Sequence, residues 1–161
     1  MNVRSIFPFL LAGCATAALP QGYAGLGTEA EGFAVPELGR QLSFPQDHGA
    51  HPDFRIEWWY LTANLTDAGG KAYGIQSTLF RSALAPGEAA GWQSPHVWMS
   101  HAAVTTPDQH LFAERLARGG VGQAGVLADP FDAWIGDLQM RSTGEAIEKI
   151  EITASGQEFS Y

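Results

Sequence analysis

From Phe44 onward β signals dominate, in runs where apolar and polar residues alternate with a period of two, the period of a strand and not of a helix. Alternating runs at 56–65, 73–83, 96–106, 134–141 and 147–154 predict β-strands, and a further stub begins near Glu158. Asp67-Ala68-Gly69-Gly70 has the chemistry of a hairpin turn, and Pro86-Gly87 opens a longer loop. Residues 111–118 read as one helical or irregular turn, ended by Gly119-Gly120. Heptads, solenoid repeats and low-complexity tracts are absent from the sequence.

Pairing the first two strands about the Asp67–Gly70 turn, with Leu65 facing Tyr73, sets Trp59 opposite Leu79 and Glu57 opposite Arg81. One face then reads Glu57, Trp59, Leu61, Ala63 and Leu65 beside Tyr73, Ile75, Ser77, Leu79 and Arg81. The other carries Trp58, Tyr60, Thr62 and Asn64 beside Gly74, Gln76, Thr78 and Phe80. A sheet with one face in water alternates cleanly between apolar and polar, and this hairpin has aromatics on both sides. The expected fold is therefore all-β and antiparallel, a barrel or strongly curved sheet that covers one face, with a second domain covering the other. Gly156 to Tyr161 stops as alternation resumes, so the domain is expected to be incomplete at its C-terminus.

The chain has 161 residues, 45% of them hydrophobic, enough for one domain with a real core. Nine basic against 17 acidic residues give a formal charge of -8 without a Lys/Arg run, which sets nucleic acid aside as a partner. Residues 1–17 read as an export signal: Arg4 in a short n-region, an apolar stretch from Ile6 to Ala12, then small residues, too short to span a bilayer. Within it Leu11-Ala12-Gly13-Cys14 matches a lipobox, which would lipidate Cys14 and tether the protein to a membrane. Ala15-Thr16-Ala17 offers the competing reading, a cleavage site releasing a soluble periplasmic protein. Residues 18–43, rich in Gly, Ala, Glu and Pro, read as a mobile spacer, and the body spans 44–161. Cys14 is the single cysteine, so the folded part has no disulfide.

The densest chemistry lies at Asp47, His48, His51, Asp53, Arg55, Glu57, Trp58, Trp59 and Tyr60, where a polar loop runs into an aromatic strand. Polar groups at the mouth of an apolar cavity suit a ligand site. His48 and His51 with Glu57 or Asp47 also suit zinc by donor type, although HExxH is absent and the reading adopted is no metal and no cofactor. Alternatively, His48 and Asp47 hydrogen-bond the loop into shape. Glu57 facing Arg81 is either a structural ion pair or a desolvated acid. His101, in mid-strand, is expected to project into the same interior, as a ligand contact or as a core histidine. Neither a GxSxG nucleophile elbow nor a complete phosphate loop is present.

The ordered series Phe44-Pro45-Gln46-Asp47-His48-Gly49, His51-Pro52, Glu57-Trp58-Trp59-Tyr60-Leu61-Thr62, Gly74-Ile75-Gln76-Ser77-Thr78-Leu79-Phe80-Arg81-Ser82 and Met99-Ser100-His101-Ala102-Ala103 resembles the AttH-like proteins, grouped with carotenoid 1,2-hydratase (hydroxyneurosporene synthase, CrtC). The resemblance implies a lipocalin-like (calycin) architecture, with two such domains in one longer chain, this sequence supplying about the first. It also implies an apolar lipid- or isoprenoid-like ligand contacting Trp58, Trp59, Tyr60, Gln76, Phe80, Arg81 and His101. In the hydratase branch, water adds across a terminal isoprenoid double bond. Glu57, His48 or His51 would be the proton donor, and aromatic faces would stabilise the carbocation by about 0.5–2 kcal/mol per contact. A carrier without turnover is the rival class, and a secreted hydrolase the third.

Overall fold

A computed structural model describes residues 30–144 and 147–161. The expected export signal and Cys14 lie outside the described residues. Among the described residues, eight strands form two four-stranded antiparallel sheets in simple chain order. The first comprises β1 (Ile56–Thr66), β2 (Ala72–Ala83), β3 (His96–Thr105) and β4 (His110–Arg118); the second comprises β5 (Ala124–Ala128), β6 (Phe131–Ile135), β7 (Leu138–Ser142) and β8 (Ile150–Thr153).

The first hairpin has the register expected from its turn, pairing Leu65 with Tyr73, Trp59 with Leu79 and Glu57 with Arg81. Asp67 fixes the turn by accepting the backbone N–H groups of Gly69 at 2.8 Å and Lys71 at 2.9 Å. Gly70 supplies the left-handed backbone, φ 86°, that a side chain would resist.

The Glu57/Trp59/Leu79/Arg81 face turns inward against the second sheet. Leu79, Trp98 and Ala102 from the first sheet meet Ala133, Ile135, Leu138 and Met140 from the second in one buried cluster. Trp59 and Trp98 stack within it, with ring centroids 5.9 Å apart. Among the described residues the sheets do not close into a barrel, so the all-β, antiparallel expectation is met by two packed four-stranded sheets and its barrel form is not.

Three elements differ from the sequence expectation. Residues 111–118 belong to β4, a strand and not a helical turn. Leu111, Ala113, Arg115 and Ala117 are half-buried while Phe112, Glu114 and Leu116 are exposed. The helix preference of such residues is worth only tenths of a kcal/mol each, and a continuous ladder to β3 outweighs it. The single run 134–141 is two strands, β6 and β7, separated at Gly136-Asp137, where Gly136 has φ 59°. β5, five residues of Ala, Gly, Val and Leu, gave no alternation to detect.

Residues 30–43 form neither helix nor strand. They touch the body where the Ala34 N–H donates to the Asp53 carbonyl at 2.8 Å and Arg40 pairs with Asp47 at 3.1 Å. The outer face of the first sheet has no layer over it among the described residues. Trp58, Tyr60, Phe112 and Leu116 are 51–76% exposed there, the surface for which a second covering domain was expected.

Candidate functional site

β1 starts immediately after the polar loop, so Glu57 enters the sheet beside Arg81 while still within reach of that loop. Arg81 is fully buried, and its Nε donates to Glu57 at 2.9 Å. Its Nη2 donates to the carbonyls of His51 at 2.8 Å and Phe54 at 2.7 Å. Glu57 in turn accepts the His51 backbone N–H at 2.9 Å. One ion pair between strands therefore also ties down the loop, which an isolated cross-strand bridge would not do.

His51 lies between two carboxylates. Its Nδ1 is 2.6 Å from Glu57 and its Nε2 is 2.8 Å from Asp47. A neutral imidazole has one N–H, so both contacts are hydrogen bonds only when the ring carries two protons or a carboxyl supplies one. Asp47 is held below the ordinary carboxylate range, first by the backbone N–H of Ser43 and then by the His51 ring. Apart from that ring, every polar neighbour of the Glu57 oxygens is a donor.

His48 sits one step away on the short 3-10 turn Gln46–His48. Its ring stacks on Phe44 at 4.4 Å and meets the edge of Phe131 at 6.2 Å, and its carbonyl accepts the Trp59 indole N–H at 3.0 Å. Together these groups border a cleft of about 440 Å³ whose walls include His48, His51, Glu57, Trp58, Trp59 and Phe131. The arrangement combines aromatic walls with a few fixed polar groups, as a small-molecule site requires.

The remaining candidates lie elsewhere. Strand alternation places Tyr60, Gln76, Phe80 and His101 on the outer face, with Trp58 at the rim, whereas Trp59, Arg81 and Glu57 point inward. His101 therefore does not project into the interior. It is exposed, with its Nε2 3.2 Å from Glu114 and its ring against Phe80 at 5.6 Å. The reason is parity: Thr78, which faces outward, is its partner on β2.

Sequence reasoning missed Phe131 and Ile147 as cleft walls. Both come from the second-sheet half of the chain, and no local pattern reveals which of its residues meet the polar loop. Among the described residues no three His, Cys, Asp or Glu side chains converge as a metal site requires.

The AttH-like family model matches residues 35–161. NE1406 from Nitrosomonas europaea, an AttH candidate whose crystal structure was determined at 2.00 Å resolution, superposes with a TM-score of 0.64 and 30% sequence identity. The match covers 80% of this chain and 39% of NE1406, so the chain spans well under half the length of that relative. Comparison with curated proteins gave no match. The polar loop, the aromatic strand and the paired sheets all fall inside the matched segment: the chain belongs to the AttH-like family.

Proposed function

We propose that this domain binds an apolar, lipid- or isoprenoid-like molecule in the cleft between the polar loop and the mouth of the sandwich. In this reading it acts in the periplasm, released or tethered through Cys14, alongside a second lipocalin-like domain in a longer chain. The observation that carries it is the convergence of Trp58, Trp59 and Phe131 with His48 and His51 around one cleft.

The core between the sheets is filled by side chains, so the ligand lies at the mouth and not deep inside. The aromatic walls supply the contact area. The loop network fixes those walls through Trp59 and the His48 carbonyl.

The position of His51 between two carboxylates favours a catalytic form of the same reading, hydration of a terminal isoprenoid double bond. A proton from the His51 ring adds to the less substituted CH carbon of the terminal double bond, leaving a tertiary cation on the dimethyl carbon against the indole faces. Water attacks that cation, and its surplus proton returns to the ring, so the acid is regenerated. Glu57, with Arg81 and the loop to hold, is better placed to orient His51 than to protonate the alkene.

Titration with a polyene or long-chain fatty acid, followed by tryptophan fluorescence, tests the binding reading. Saturable quenching that weakens at least tenfold in Trp58→Lys is expected. Absence of saturation across both ligand types would remove the cleft as a site. His51→Gln should abolish the mass gain of one water in the polyene while leaving quenching intact; unchanged turnover would exclude His51 as the acid.

A further inference from the structure

Four buried side-chain atoms lack a hydrogen-bond partner among the described residues: Ser77 Oγ, Arg81 Nη1, His96 Nε2 and Ser100 Oγ. All four belong to the inner face of the first sheet, because the register turns the odd residues of β2 and the even residues of β3 the same way. Two of them are complementary. Arg81 spends Nε on Glu57 and Nη2 on the carbonyls of His51 and Phe54, so Nη1 is the arm left over, and a guanidinium N–H can only donate. His96 pairs with Ala83, two residues along β2 from Arg81, which makes the two side chains diagonal neighbours. Arg81 is 0% exposed and His96 8%, so the described residues themselves enclose both nitrogens.

The chemistry of the ring makes Nε2 the acceptor that Nη1 needs. The Gly87 backbone carbonyl takes a proton of the ring, and that contact falls on Nδ1 because Nε2 has no partner. A neutral imidazole has one N–H, so Nε2 then carries the lone pair. Burial, and after it the charge of Arg81 on β2, hold His96 below the ordinary histidine range and keep it neutral near neutral pH. Glu88, on the connection to β3, and Glu57 on β1 act in the opposite sense. On the β4 side Arg118 donates to the Ser94 carbonyl at 3.4 Å.

We propose that His96 is a positioning residue for the cleft: through one bridging water its Nε2 holds the third arm of Arg81, and acid releases that arm. Such a water accepts from Nη1 and donates to Nε2, which satisfies both buried groups at once. Protonation of Nε2 removes its lone pair, so the bridge loses its acceptor and two buried cations face each other. Arg81 then gives up the His51 and Phe54 carbonyls, and the loop that walls the cleft loosens. The grip is complete above the ordinary histidine range and is lost as pH falls below it, through the lowered value. The device acts on the loop whether or not the cleft holds a ligand.

Hydrogen exchange of the full chain at about pH 7.5 and about pH 5, expressed as protection relative to the intrinsic rate at each pH, tests it. The His51 amide, bonded to Glu57, and the Phe54 amide, bonded to the His51 carbonyl, should lose about tenfold protection in acid. Those of Ser77 and Leu79, in a strand paired on both sides, should keep theirs. His96→Gln retains an acceptor that cannot titrate, and should hold the loop amides protected at both pH values. His96→Leu has no acceptor and should leave them less protected at both. Should the Leu variant fail to fold, the Gln variant and the unaltered protein decide. Equal loop protection at the two pH values in the unaltered protein overturns the inference. So does a Gln variant that loses as much protection in acid, since the loop's own Asp47, His48 or His51 would then be responsible. In a crystal grown near neutral pH one water should lie within hydrogen-bond reach of both nitrogens, and finding neither that water nor a direct contact overturns the bridge.

Discussion

Replacing Arg81 with Met removes one fully buried guanidinium while keeping most of its volume, and it separates the two jobs assigned to the Glu57–Arg81 pair. The variant loses the 2.9 Å bond to Glu57 and the two bonds, at 2.8 and 2.7 Å, to the carbonyls of His51 and Phe54. Breaking a buried ion pair from one side costs about 3–5 kcal/mol, because the remaining charge keeps its desolvation penalty without its partner. Glu57 is 14% exposed and retains the His51 N–H, which moves the electrostatic part to the low end of that range. Each stranded carbonyl adds about 1 kcal/mol. The expected loss is about 5 kcal/mol in denaturant unfolding followed by tryptophan fluorescence. Glu57→Leu combined with Arg81→Met should be less destabilising than the two single changes added together, by about 2 kcal/mol, since no charge is then left unpaired. A loss below about 1 kcal/mol for Arg81→Met, or simple additivity in the double variant, would refute the view that this pair holds the loop.

Two further outcomes follow from other contacts. Asp47 is held below the ordinary carboxylate range, so its charged form stabilises the folded state above that range, and the contribution disappears as pH falls through the lowered value. Asp47→Asn should therefore be less stable than the unaltered protein at neutral pH, and the gap between the two unfolding curves should narrow as pH falls below the ordinary carboxylate range. Tyr161 behaves with the opposite sign. Burial raises its phenol above the ordinary range, with Ser77 partly offsetting this, and its hydroxyl donates to the Gln76 carbonyl at 2.5 Å. Its contribution is present below the ordinary tyrosine range and is lost as pH rises through the raised value. Tyr161→Phe should cost about 1 kcal/mol at neutral pH and flatten the alkaline limb of a stability profile.

By itself the sequence determined the first hairpin to the residue: turn chemistry at Asp67–Gly70 sets the register, and a period of two then assigns every side chain to a face. It also determined that Glu57 opposes Arg81, and that the loop from Asp47 to His51 leads into an aromatic strand. These are near-neighbour properties, settled within a few residues along the chain or across one turn.

Tertiary structure decided the rest. It made 111–118 a strand, because pairing with β3 exceeds the local preference of Leu, Ala, Glu and Arg. It arranged the described strands as two separate sheets, with Trp59, Trp98, Ile135 and Met140 packed between them. It brought Phe131 to His48 and sent His101 to the opposite face from Trp59. Which residues of the second sheet meet the polar loop depends on how two hydrophobic faces pack across a long separation in sequence. That information is held in side-chain volume and the constraint of chain connection, not in any local pattern.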